Sequence, residues 1–128
     1  MADLSADIAA LPDKTLLVLD DDAPLRTRLG RALEQRGFET TLVGSVSEAL
    51  AAVRQAPPAF AVLDMRLEDG TGLKVVEAIR EARPDSKVVM LTGYGNIATA
   101  VAAVKSGAID YLSKPADADD VARALFAL

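Results

Sequence analysis

The chain is 128 residues long, 51% hydrophobic and 26% charged, with a formal net charge of −5; this is the size and mix of one ordinary globular domain with a single core. It contains neither Cys nor His, which excludes disulfides, zinc–thiolate centres, thiol nucleophiles, histidine general bases and the Ser-His-Asp triad. The acidic balance argues against nucleic acid bound by this chain itself, no apolar run approaches the ~20 residues of a membrane span, and Asp3 and Asp7 do not suit a secretory signal, so a cytoplasmic location is expected.

Residues 1–14 are expected to be a loosely ordered lead-in, and residues 15–128 to form the domain. Thr15-Leu16-Leu17-Val18-Leu19 is a short apolar run that ends in Asp20-Asp21-Asp22. Similar runs recur at 40–43, 60–63, 88–91 and 109–112, and short runs without polar alternation are what strands buried on both faces look like.

Segments of helical period lie between them. Leu25, Leu29 and Leu33 recur at four-residue steps, with Pro24 near the start and Gly37 just past the end. Arg26, Arg28, Arg31 and Arg36 in this segment read as a solvated helix face. Ser45-Val46-Ser47-Glu48 opens a second helix with a capping-box pattern, and Pro57-Pro58 stops it. Leu73, Val76 and Ile79 mark a third that ends before Pro84. Ile97, Val101 and Val104 mark the apolar stripe of a fourth that ends at Gly107. A fifth follows Pro115, with Asp117 as cap and Val121 and Leu125 facing inward.

Five β-α repeats imply an α/β fold: a doubly wound, flavodoxin-like, five-stranded parallel sheet with strand order 2-1-3-4-5 and five helices. Ligands in such sheets bind at the carboxyl ends of the strands, where the strand order reverses. Asp20, Asp21 and Asp22 end the first strand, Asp64 the third, Thr92-Gly93 the fourth, and Ser113-Lys114-Pro115 the fifth. Carboxylates gathered there repel one another and need a compensating charge. Mg²⁺ and the Lys114 ammonium would supply it, since a hard cation takes oxygen ligands only. Taken singly, Asp22 is a helix cap, Thr92 a turn residue and Lys114 a surface lysine. Acid, acid, hydroxyl and amine together at four strand ends are harder to explain that way.

That constellation resembles the receiver domains of two-component response regulators, over nearly the whole chain from Thr15 onward. The resemblance implies that Asp64 is the phosphoacceptor, that Asp20 and Asp21 are the acid pair with Asp21 the direct Mg²⁺ ligand, and that the Arg66 backbone carbonyl is a further ligand. It implies Thr92 and Tyr111 as the switch pair, Gly93 as the small residue beside the phosphoryl group, and Lys114 as the conserved-type amine, joined to Pro115 by a cis peptide. Arg66 and Tyr94 would flank the pocket. Glu68 departs from the pattern, which places a proline there. The loop from Arg66 to Gly72, with the stretches 91–101 and 110–118, is similar to the RegA/PrrA/ActR branch, redox-responsive transcription regulators of proteobacteria.

By that resemblance the chain takes a phosphoryl group from a sensor histidine kinase and does no turnover chemistry beyond its own phosphorylation and dephosphorylation. Its output would be transcription regulation through a DNA-binding domain outside this chain. The face made by the fourth helix, fifth strand and fifth helix is the expected homodimer surface on phosphorylation. Three other readings remain open at this level, one of them a scaffold with no chemistry whose acid pocket is vestigial. Asp20 and Asp22 could mimic the acid pair of a Mg²⁺-dependent phosphohydrolase of the haloacid dehalogenase kind. Gly93-Tyr94-Gly95-Asn96-Ile97-Ala98 satisfies a G-x-G-x-x-A nucleotide-binding pattern, although it follows the fourth strand rather than the first.

Overall fold

The computed structural model describes residues 5–93, 101, 102, 104, 105, 108, 110–113 and 116–126. Along the chain run α1 (Ser5–Ala9), β1 (Thr15–Leu19), α2 (Ala23–Gln35), β2 (Glu39–Val43), α3 (Val46–Gln55), β3 (Phe60–Asp64), β4 (Arg66–Leu67), β5 (Gly70–Thr71), α4 (Gly72–Ala82), β6 (Lys87–Thr92), β7 (Asp110–Ser113) and α5 (Ala118–Phe126). Residues 101, 102, 104 and 105 are helical.

The main sheet has five strands in the order β2-β1-β3-β6-β7, and every neighbouring pair is parallel. Counting only its own strands, this is the expected order 2-1-3-4-5. The register sets Leu19 beside Leu63 and Asp64 beside Leu91, so the carboxyl ends of β1, β3 and β6 finish at one level. β4 and β5 form a separate antiparallel hairpin, which the apolar runs gave no reason to expect.

Alternation along the strands divides the core in two. Leu17, Leu19, Ala61, Leu63, Val88 and Met90 meet α3 and α4. Leu16, Val18, Phe60, Val62, Val89 and Leu91 meet α2 and α5 on the other face. Each of these side chains except the small Ala61 contributes roughly 1.5–3 kcal/mol on leaving water, so the apolar runs are uninterrupted because both faces are covered.

Helix ends follow their local chemistry. The Asp22 side chain accepts a hydrogen bond from the Leu25 N–H at 3.1 Å and caps α2. At its other end Gly37 takes a φ of 112°, and the N–H groups of Gly37 and Phe38 close on the carbonyls of Glu34 and Leu33, a Schellman stop. Ser45 caps α3 by accepting from the Glu48 N–H at 3.1 Å. The Glu48 carboxylate does not return to the Ser45 N–H, as a full capping box requires, but accepts from the Gly44 N–H at 3.1 Å. Asp117 and Asp120 make the reciprocal exchange at the start of α5, and Val121 and Leu125 are buried as expected.

Two expectations are corrected. Residues 1–14 are not simply a loose lead-in: Ser5–Ala9 is helical, and Ile8 is fully buried among the side chains on the α2–α5 face. Leu4, Ile8 and Leu11 recur at steps of four and three residues, the helical period that the lead-in reading passes over. Val101 and Val104 do not face inward but are exposed. The three- and four-residue spacing marks a helix without fixing which side of it meets the sheet.

Candidate functional site

Three carboxylates meet where the strand order reverses. Asp20, Asp21 and Asp64 each bring an oxygen to within 4.8 Å of the others, with Asp20 and Asp64 buried and Asp21 exposed. Backbone register produces this convergence, because Asp20 follows Leu19 directly and Leu19 pairs with Leu63, the residue before Asp64. Asp20 is held firmly: its N–H donates to the Val43 carbonyl at 3.2 Å, its carboxylate accepts from the Asp22 N–H at 2.9 Å, and its carbonyl accepts from Arg26 Nη1 at 2.7 Å. Asp22, the remaining member of the acid run, caps α2 and is exposed. That removes the second acid of the phosphohydrolase reading from the cluster.

Thr92 ends β6 beside this group. It is 3% exposed, and its Oγ1 has no hydrogen-bond partner among the described residues. A buried hydroxyl left unpaired costs about 1–3 kcal/mol, so such an atom marks a place that a polar ligand completes. The donor set of three carboxylates, with no nitrogen or sulfur, suits a hard divalent cation such as Mg²⁺. The same charges would otherwise repel.

Three residues that the sequence reading did not place at the site help build it, among them Arg26, expected on a solvated helix face but donating to the Asp20 carbonyl. Gly72, the first residue of α4, lies against Asp64: a Cβ placed there would sit 2.2 Å from the Asp64 carbonyl oxygen and 2.9 Å from Met90 Cε. Arg26 reaches across Gly44, where a Cβ would come within 2.5 Å of its Nη1. Asp69, at the tip of the β4–β5 hairpin, accepts hydrogen bonds from the N–H groups of Val46 at 2.9 Å and Ser47 at 3.1 Å. Those two donors hold its carboxyl below the usual aspartate range. The Asp-Gly-Thr-Gly run was the visible signal, but its partners lie far away in the sequence.

Arg66 is exposed at the start of the hairpin, Glu68 is exposed at its tip, and Tyr111 is exposed on β7. Gly93 is exposed, and among the described residues a Cβ on it would meet nothing within 4 Å. Lys114, the Lys114–Pro115 peptide and Tyr94 lie outside the described residues, as does the rest of the G-x-G-x-x-A stretch beyond Gly93.

A doubly wound sheet with an acid cluster at its switch point and a buried, unpaired hydroxyl beside it defines a class of phosphate- or cation-handling α/β domains. Within that class, the sequence profile of the response regulator receiver domain matches residues 16–126, and the chain belongs to that family. It is 61% identical over 115 residues to the photosynthetic apparatus regulatory protein RegA of Rhodobacter capsulatus, covering 90% of this chain and 62% of the relative. It is 58% identical over 114 residues to the acid tolerance regulatory protein ActR of Rhizobium meliloti, covering 89% and 59%. The chain thus spans about three fifths of the length of these relatives.

Among solved structures, it superposes with a TM-score of 0.84 and 38% identity on a Burkholderia pseudomallei response regulator crystallised with a phosphorylated aspartic acid, calcium ion and citrate, covering 88% of this chain and 66% of that one. The beryllofluoride-activated NtrC4 receiver domain dimer matches with a TM-score of 0.80 and 32% identity, over 88% and 93%. No described helix is long and apolar enough to cross a membrane.

Proposed function

We propose that residues 15–128 act as a phosphoacceptor switch, with Asp64 as the acceptor, fed by a sensor histidine kinase. The observation that carries this is the meeting of Asp20, Asp21 and Asp64 within 4.8 Å of one another beside the buried Thr92 hydroxyl, which has no partner among the described residues. An Asp64 carboxylate oxygen attacks phosphorus of the kinase phosphohistidine. A new O–P bond forms as the P–N bond breaks, and the electron pair leaves on the imidazole nitrogen, giving an acyl phosphate on Asp64.

Asp21, Asp64 and the Arg66 carbonyl would hold Mg²⁺, with Asp20 acting through water. When bound, the ion neutralises charge on the phosphoryl oxygens. Asp64 itself is buried. The Thr92 hydroxyl donates to a phosphoryl oxygen, Lys114 pairs with Asp64 at rest and with the phosphoryl group afterwards, and Tyr111 turns inward as the loop after β6 tightens. The chain does no turnover chemistry beyond acquiring and losing this group.

Exposed Val101, Val104 and Tyr111 offer apolar contact on the face proposed for homodimer formation. The described structure of the activated NtrC4 receiver as a dimer is consistent with such a use of the fold. The names RegA and ActR support an output in transcription regulation, through a DNA-binding domain outside this chain, in the cytoplasm. The test is intact mass after incubation with Mg²⁺ and a small-molecule phosphodonor. One added phosphoryl group, absent without Mg²⁺ and absent in Asp64→Asn, supports the reading. No gain in a folded chain, with the donor and with candidate kinases, overturns it.

A further inference from the structure

The β4–β5 hairpin is tied at its base, by the Gly72 N–H on the Met65 carbonyl and by Leu67 against the core, which leaves its tip to be held. Its ladder consists of Arg66 opposite Thr71 and Leu67 opposite Gly70, and a two-stranded ribbon is marginal on its own in water even when longer. Glu68, at the tip, is exposed. Yet this hairpin starts two residues after Asp64 and carries the Arg66 carbonyl.

What secures the tip is the N-terminus of α3. The first N–H groups of a helix have no partner within the helix. In α3, Glu48 N–H is taken by the Ser45 side chain, whereas Val46 and Ser47 N–H are both taken by Asp69, one by each carboxylate oxygen. A carboxylate is also the charge that a helix N-terminus favours. Gly70 follows with a φ of 149°, which brings the hairpin against Val46: a Cβ at Gly70 would lie 3.5 Å from Val46 Cγ2. α3 itself is anchored next to the acid pair, since Val43, the last residue of β2, accepts from the Asp20 N–H.

We propose that Asp69 is a positioning residue for the cation site: it fastens the hairpin to α3 and so sets the Arg66 carbonyl relative to Asp21 and Asp64. The proposal rests on the reading of the pocket given under Proposed function. Asp69 touches neither the cation nor the phosphoryl group.

A residue that only capped α3 would behave like Ser45, which caps the same helix without touching the hairpin. Mg²⁺ binding to the full chain, followed by isothermal titration calorimetry, separates the two roles. Asp69→Ala is expected to weaken Mg²⁺ about tenfold, the scale of a lost outer-shell contact, and Ser45→Ala to leave the affinity unchanged. Asp69→Asn keeps one acceptor oxygen and is expected to fall between wild type and Asp69→Ala; it also serves should the alanine variant not fold. Wild-type affinity in Asp69→Ala or Asp69→Asn, or an equal loss in Ser45→Ala, overturns the positioning role. Absence of Mg²⁺ binding in the wild-type chain overturns the reading of the pocket, and this proposal with it.

Discussion

Gly72 and the Asp64 main chain are in contact with no room between them: a Cβ at Gly72 would lie 2.2 Å from the Asp64 carbonyl oxygen. The Gly72 N–H also donates to the Met65 carbonyl at 2.9 Å, so the start of α4 is stitched directly to the end of β3. Neither atom group can yield easily, because the oxygen belongs to backbone in the middle of the sheet. Gly72→Ala is therefore expected to cost about 1–3 kcal/mol through overpacking. Urea unfolding of the variant measures it, and phosphorylation of the folded fraction is expected to fall as Asp64 shifts.

Thr92 gives a prediction of opposite sign. Its hydroxyl is buried without a partner among the described residues, a cost that the proposed phosphoryl group on Asp64 would relieve. Thr92→Val keeps the shape and removes the unpaired oxygen. Resting stability is expected to stay level or rise by up to about 1 kcal/mol, as read from the urea midpoint. Phosphorylation of the variant is still expected, but with loss of any phosphorylation-dependent dimer in sedimentation.

At the far end of the sheet, Asp13 joins three segments. It accepts from the Thr15 N–H at 2.9 Å and the Thr15 hydroxyl at 2.7 Å, and from Arg83 Nη1 at 2.8 Å. Thr15 hydroxyl in turn accepts from the Ala59 N–H at 3.0 Å. These partners, the Thr15 N–H first, lower the Asp13 carboxyl from 3.8 to about 2. A carboxyl lowered by folding adds stability above its unfolded value, and that stability fades as pH falls from 3.8 toward 2. Because Asp13 is partly exposed, solvent screening leaves about 1 kcal/mol. The gap in urea midpoint between wild type and Asp13→Asn is expected to be constant at neutral pH and to close across that acidic window.

Ile8 tests whether α1 belongs to the folded unit. It is fully buried and packs over Gly37, where a Cβ would come 3.1 Å from Ile8 Cγ2. Ile8→Ala is expected to destabilise the chain by about 2 kcal/mol; a change near zero in the urea midpoint would mean that α1 contributes nothing to the core.

These sites differ in how far the sequence revealed them. Asp20, Asp21, Asp64 and Thr92 were legible because each ends an apolar run, and parallel strands in a known order bring such ends together. Asp22 was legible as a cap from its place before a helical period. Asp69 was not, since the donors it satisfies belong to Val46 and Ser47, and no local pattern connects the two segments. Gly72 could be seen only as one of several glycines in a loop, because its constraint is an atom of Asp64 rather than a turn type. Ile8 keeps helical step with Leu4 and Leu11, but a segment that short does not say what it packs against, and the stripe of Val101 and Val104 announced a helix but not its buried side. Local chemistry thus fixed the elements and their ends, while contacts between distant segments had to be seen in space.

The most direct measurement is the position of the phosphoryl group. Borohydride reduces an aspartyl phosphate to homoserine, so treatment of the phosphorylated chain followed by peptide mass mapping reports which side chain carried it. Homoserine at position 64 alone, formed only with Mg²⁺ present, is the expected result. Homoserine at Asp20 or Asp21, or none from a chain that gained phosphoryl mass, would contradict Asp64 as the acceptor.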